Sequence, residues 1–336
     1  MSKNIVIFSD GTGQEGGKGP DTNVYKLFKA VKNRTPEQIV FYDRGLGTGW
    51  QKLLGNLAGV GISKNIQDCY RFIFENYEAG DKIYLFGFSR GAATVRSLSG
   101  FIHTFGVLPK SRPELIKRAY KIYKISNPQK REIAAEAFSK SHHPMWTKIK
   151  FVGVWDTVAA LGLPLPILSS VLNKVPFCKH KFHDYRLSES IETAYHALSI
   201  DDERKSFHPT FWDETIAKGQ TMEQVWFCGA HTDVGGGYKH DSLSNITLKW
   251  MAEKAINNGL LLHSKNILSL PLDVNGHLHN SRKPPFKKFF RKEVRNWPEF
   301  DALGVRRGAP NIHPSVLKRT INSENKAEPS YNPWII

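Results

Sequence analysis

Cysteine is scarce in this 336-residue chain: Cys69, Cys178 and Cys228 are the whole supply, far apart and without a CxxC pair. A disulfide-stapled scaffold and a zinc ribbon are thereby excluded, and reduced thiols are expected. Acidic residues are in deficit, 31 against 47 Lys and Arg, for a net charge of +16. That balance favours an anionic partner, either phospholipid headgroups or nucleic acid, and by itself chooses neither. A membrane-spanning run is missing as well. The longest apolar stretch, Val158 to Leu172, is about 15 residues and holds Pro164 and Pro166, short of the roughly 20 that a bilayer requires. The start, MSKNIVIFSDGTGQ, enters a strand-like segment without an apolar leader and cleavage site. The expectation is therefore a cytoplasmic protein with no signal peptide or transmembrane helix, with export by a signal-less route left open. No internal repeat or low-complexity tract is visible.

What is present is a composition that can bury a large core: 40% of residues are apolar and 23% charged, which excludes disorder and collagen-like architecture. Short apolar strands stop at glycine or aspartate. They are Asn4 to Ser9 before Asp10-Gly11-Thr12-Gly13, Gln38 to Tyr42 before Asp43, Lys82 to Phe86 before Gly87, Lys148 to Trp155 before Asp156, and Gln224 to Cys228 before Gly229. Helical spacing appears between them, over Ile62 to Tyr77, Ala92 to Ile102 and Ser242 to Asn258. Continuous apolar strands alternating with helices predict an α/β fold, a mostly parallel sheet with helices on both faces. The polar residues that bear chemistry collect at the carboxyl ends of the strands, the edge where such sheets bind ligands. We place a catalytic domain at 1–260, with insertions at about 107–145 and 161–184, either of them a candidate lid. A basic extension at 261–336, packing on the same domain, contains the basic aromatic run Ser281 to Trp297.

Gly87-Phe88-Ser89-Arg90-Gly91 is a G-x-S-x-G sequence between a strand and a small-residue helix, the context of a nucleophile elbow. A glycine-tight turn with an incidental serine is the plainer reading. A serine nucleophile needs a base and an orienting carboxylate. In the order Ser, acid, His, the next strand-end candidates are Asp156 and His231. Asp156 also suits a helix N-cap, and His231 a satisfied structural histidine. His313 is the reserve base and Asp233 a further reserve residue. His196, in the apolar helix-like stretch Ala194 to Leu198, reads as a packed residue. For the oxyanion hole, Arg90 N–H would be one donor and Gly11 or Thr12 the other, unless Asp10-Gly11-Thr12 is simply a glycine turn. Val234-Gly235-Gly236-Gly237-Tyr238 lacks the lysine and Ser/Thr of a P-loop, so its glycines read as tight packing that sets His231 beside Ser89. Asp10, His231 and Asp233 stay open as metal ligands, without an HxH or HExxH spacing among them.

As a set, Phe8-Ser9-Asp10-Gly11-Thr12, Tyr42-Asp43-Arg44-Gly45-Leu46-Gly47-Thr48, Gly87 to Ala92, Gly153-Val154-Trp155-Asp156-Thr157-Val158, Asp202-Glu203-Arg204 and Trp226 to Tyr238 resemble domain-of-unknown-function family 2235. This is an α/β-hydrolase group that includes type VI secretion phospholipase effectors. The resemblance covers residues 3 to about 255 and touches Ile312 to Val316. It implies an α/β-hydrolase fold and a serine esterase acting on phospholipid acyl esters, with the family triad on Ser89, Asp156 and His231.

The leading expectation is thus carboxylic ester hydrolysis through a Ser-His-Asp triad and an acyl-enzyme, with no cofactor and no metal. The partners expected are a phospholipid or other ester substrate and an anionic membrane surface met through 281–297; nucleic acid is not expected. Two alternatives stay open: a metal-dependent phosphoesterase using Asp10, His231 and Asp233, and a non-enzymatic basic module that binds nucleic acid.

Overall fold

β1 (Asn4–Ser9) has all six of its residues buried, as a strand covered on both faces must. Ile5 and Ile7 enter one hydrophobic cluster, Val6 and Phe8 the other. The period-2 geometry of a strand divides them in this way. The computed structural model describes residues 2–11, 16–17, 19–45, 57–158, 186–263, 265–282, 290–324 and 330–335. Among these, β1 sits inside a seven-stranded sheet of order β2-β1-β3-β4-β5-β6-β7, every neighbouring pair parallel. The other strands are β2 (Gln38–Asp43), β3 (Lys82–Phe88), β4 (Ile149–Trp155), β5 (Ile191–Ser199), β6 (Thr221–Phe227) and β7 (Asn311–Ile312). The expected α/β-hydrolase-like fold is what the chain adopts.

On one face lie α2 (Leu57–Asn76), α3 (Arg90–Phe105), α4 (Leu115–Tyr123) and α5 (Pro128–His142), whose apolar residues join Ile5, Ile83 and Ile149. The opposite face is covered by α1 (Asn23–Ala30) and α7 (Ser242–Asn257). Between β6 and α7 comes a short helix, α6 (His231–Gly235), and α8 (Pro314–Glu324) is the last helix among the described residues. Residues 107–145 hold α4, which packs on α2 and α3, and α5, which packs on α4 and α3. The apolar Val158 to Leu172 stretch and the 161–184 insertion lie almost wholly outside the described residues, and Thr12 and Cys178 lie outside them too. Among the described residues, no helix is long and apolar enough to cross a membrane.

His196 requires a correction. It lies in β5, not in a helix. Ala194 packs into one cluster and Tyr195 and Ala197 into the other, which is strand alternation. The helix-forming Ala, Glu and Leu of IETAYHALS mislead because pairing with β4 and β6 overrides local propensity.

The chain leaves β1 for β2 on one side and returns to β3 on the other, so β1 and β3 flank the point where strand order reverses. The crevice at the carboxyl ends of such a pair is the usual ligand site. In register, Ser9 stands opposite Gly87, Phe88 opposite Trp155 and Trp155 opposite Ala197, which brings the ends of β1, β3, β4 and β5 to one rim.

At that rim the two glycines of the G-x-S-x-G sequence are sterically required. A Cβ on Gly91 would stand 2.0 Å from the Ser9 carbonyl oxygen, and one on Gly87 2.5 Å from the Gly91 carbonyl oxygen. Gly91→Ala is expected to lower unfolding free energy by about 1–3 kcal/mol, the scale of core overpacking, in urea titrations. An unchanged midpoint would show that α3 can ride away from β1.

Candidate active site

Ser89 joins β3 to α3 at φ 56° and ψ −118°, a strained conformation for a residue with a side chain. It occupies the N-cap position of α3, yet its hydroxyl makes no capping bond. The hydroxyl instead meets His231: Nε2 lies 2.8 Å from Ser89 Oγ. The other ring nitrogen, Nδ1, is 2.5 Å from Asp156 Oδ2. Asp156 follows β4 in a left-handed conformation, φ 39°, and its backbone amide donates to Ala197 O. The three side chains come from the ends of β3, β4 and β6. Ser89 keeps 8% of its surface exposed and His231 4%, so the pair is recessed but not sealed.

The imidazole is held on all sides. Phe88 packs against it with centroids 4.6 Å apart, and Phe207 meets it edge-on at 5.1 Å. Its backbone N–H donates to Asp202 Oδ2 at 3.1 Å, which anchors the first residue of α6. Arg204 neutralises Asp202 through Nε and Nη2, at 3.0 and 2.7 Å, and its guanidinium lies 3.5 Å over the Phe207 ring. Gly235 lets α6 close on this nest, since a Cβ there would stand 2.0 Å from Phe88. The glycine cluster after Asp233 is therefore a packing device.

Burial pulls the His231 proton affinity below the ordinary histidine value, against the opposing pull of Asp156. Burial alone would raise the Asp156 carboxyl, but the Arg295 guanidinium and His231 hold it well below the usual carboxylate range. Asp156 Oδ1 accepts from Arg295 Nη1 at 2.6 Å and from the Ser199 amide at 3.0 Å; Oδ2 accepts from Arg295 Nη2 at 2.8 Å. Arg295 belongs to the basic run that reads in the sequence as an outward-facing lipid contact, and it is instead fully buried. Nothing in the local pattern marks it, because one arginine in a basic segment looks like the next. Asp202 and Arg204 stand in one of the motifs that carry the family resemblance, but only the folded chain assigns them their task.

The remaining candidates are placed as follows. Arg90 opens α3, where a first-turn amide has no partner within the helix. Its side-chain Nη1 is buried with no hydrogen-bond partner among the described residues, and burial lowers the guanidinium to about 10. Gly11 lies against the elbow, its Cβ direction 3.6 Å from Ser89 Cβ, but its N–H donates to Asp10 Oδ1 at 2.7 Å. Asp10 also accepts from Thr22 and Tyr42, at 2.6 and 2.7 Å, and burial raises it to about 6. Asp233 pairs with His279 at 2.6 Å, and His313 stacks on Phe227 and bonds Ser315. Asp10 and Asp233 are thus engaged apart from His231. Among the described residues, no group of three His, Cys, Asp or Glu side chains is arranged to hold a metal ion. His196, fully buried, accepts the Thr157 amide through Nε2 at 3.1 Å.

A family model described as the type VI secretion system phospholipase effector Tle1-like catalytic domain matches residues 3–254. An uncharacterized protein of Saccharomyces cerevisiae is 31% identical over 230 residues, 61% of this chain and 32% of its own length. Among solved structures, an uncharacterized protein from Pseudomonas aeruginosa is similar at 16% identity and TM-score 0.47, over 80% of this chain and 47% of that one. The Tle1 effector bound to the VgrG spike is similar at 18% identity and TM-score 0.37, over 71% and 52%. Thermogutta terrifontis esterase 2 follows at 14% identity and TM-score 0.42, over 77% and 85%. The chain spans about a third of the yeast relative's length and about half of each of the first two structures.

The lowered proton affinity of His231 predicts half-protonation below pH 6.5, read from its Cε1–H resonance in a pH titration. A midpoint at or above that value would show that Asp156, not burial, dominates the ring.

Proposed function

This chain belongs to the family of type VI secretion phospholipase effector Tle1-like catalytic domains, and from that footing we propose that it is a serine esterase cleaving phospholipid acyl esters. The observation that carries the proposal is the bonded series from Ser89 Oγ through both ring nitrogens of His231 to Asp156. With Nδ1–H donated to the carboxylate, Nε2 presents its lone pair to the hydroxyl. Ser89 Oγ attacks the ester carbonyl carbon as its proton passes to His231 Nε2. The imidazolium then returns that proton to the leaving alcohol, and the acyl group stays on Ser89. Water, deprotonated by the same nitrogen, attacks the acyl-enzyme, releases the fatty acid and restores the serine. The Arg90 N–H at the head of α3 is the first oxyanion donor in this scheme, and the second is the Gly11 N–H once it leaves Asp10 Oδ1 for the substrate, or the N–H of Thr12, which lies outside the described residues.

Two features support a phospholipid over a neutral ester. The net charge is +16, and Arg90 Nη1, buried one residue from the nucleophile with no hydrogen-bond partner among the described residues, is a donor suited to a phosphodiester oxygen. The proposal extends to contact with an anionic lipid surface through 281–297, supported by exposed Arg291 and Lys292 and by Val294 at 50% exposure; residues 283–289 of that run lie outside the described ones, and Arg295 is not part of the face.

Purified Ser89→Ala is expected to lose at least ~10³-fold in turnover on phospholipid and on p-nitrophenyl butyrate. Wild-type rates in that variant would end the serine reading, and equal rates of the unaltered protein on phospholipid and triacylglycerol would end the phospholipid part. In cosedimentation, vesicles containing phosphatidylglycerol should retain more protein than pure phosphatidylcholine vesicles, and the excess should fade with added salt. Equal retention would remove the surface contact.

A further inference from the structure

Arg295 lies beyond residue 254, outside the stretch matched by the family model, yet its guanidinium reaches the carboxylate that orients His231. It is 0% exposed, as is Asp156. Besides the two carboxylate bonds, Nη1 donates to Ser199 O and Nη2 to Phe207 O, both at 2.7 Å. The first carbonyl ends β5. The second belongs to the residue whose ring braces the imidazole. One side chain thus ties together the acid, the neighbouring strand and a wall of the base.

Stability does not explain this arrangement well. Desolvating two charges costs as much as their attraction returns, and apolar replacements of buried ion pairs are often as stable. The geometry suggests a different use. Asp156 Oδ2 is shared between His231 Nδ1 and Arg295 Nη2. The carboxylate cannot then lend its full negative charge to the ring, since a positive charge already sits against it.

We propose that Arg295 is a positioning residue for the reaction above: it fixes the Asp156 carboxylate toward His231 and offsets its charge, so that the imidazole is a weaker base and is ready at lower pH than an uncompensated Asp–His pair would allow. The C-terminal segment, on this inference, completes a catalytic site that the matched domain lacks on its own. The inference rests on the serine esterase reading. The other charged groups facing the pair do not substitute for Arg295. Asp202 and Arg204 beside His231 neutralise each other. Asp201 bonds Gly229 N and Tyr331. Behind Asp156, His196 is kept neutral at ordinary pH, burial lowering it to about 3, and Arg96 donates to Thr210 O and Phe211 O.

The test is the rate of fluorophosphonate labelling from pH 4.5 to 9, with the labelled peptide mapped, on the full chain and its Arg295→Met and Arg295→Lys variants. The unaltered chain should label at Ser89 with an acid limb. Arg295→Met should move that limb upward by about one pH unit and slow labelling at neutral pH by about 10²-fold, the scale of a misplaced catalytic group. Arg295→Lys, which keeps the charge but not the paired donors, should leave the limb in place and recover about tenfold of the lost rate. A limb unmoved in Arg295→Met, or a lysine variant no better than the methionine one, overturns the inference. If Arg295→Met fails to fold by circular dichroism, Arg295→Lys decides alone: an unmoved limb with labelling slowed about tenfold supports the inference, and a displaced limb or full wild-type rate overturns it. Absence of label at Ser89 in the unaltered chain would instead remove the serine esterase reading.

Discussion

A single desolvated carboxylate is the point on which the rest of the site depends. Asp156 is fully buried, so its lone pairs depend on donors from within the protein, and these come from distant parts of the chain: His231 after β6, the Ser199 amide ending β5, and Arg295 from the C-terminal segment. A buried carboxylate left without them would take up a proton and lose its hold on the imidazole. The position of His231, and through it that of Ser89, therefore follows from how completely Asp156 is satisfied.

The elbow is the second constraint and is steric. α3 starts so close to the end of β1 that Gly91 has no room for a Cβ, its first turn folds back so closely on β3 that Gly87 has none either, and Ser89 between them takes a positive φ. The strain frees the hydroxyl from capping its own helix and turns it toward the imidazole. Strain of this kind persists only where surrounding structure over-determines it. Here β1 and β4 flank β3 in register, and α3 packs across them. Tightness at the rim continues at Gly235, where Phe88 occupies the space of a side chain and so reaches the ring of His231.

The positive charge of the chain divides into two populations that no composition figure separates. Arg295 and Arg204 face inward and serve the site's own carboxylates, Asp156 and Asp202. Arg291 and Lys292 stay at the surface, although Lys292 is partly spent on Glu203 at 3.0 Å. Net charge at the sequence level is thus an upper bound on what is offered to an anionic partner, because internal pairs consume part of it.

The sequence by itself determined the α/β architecture and the strand ends that carry Ser89, Asp156 and His231. Those features are local: an apolar run that ends in glycine or aspartate signals a buried strand and its loop whatever surrounds it. It did not distinguish β5 from a helix, because IETAYHALS is a strand only by virtue of its neighbours on either side. Nor did it separate Arg295 from the basic residues around it, or show that the Gly11 amide is taken by Asp10. Those were decided by tertiary structure, since the fate of a charge or a backbone donor depends on what lies within a few ångströms, and the chain brings together there residues that stand far apart in its order.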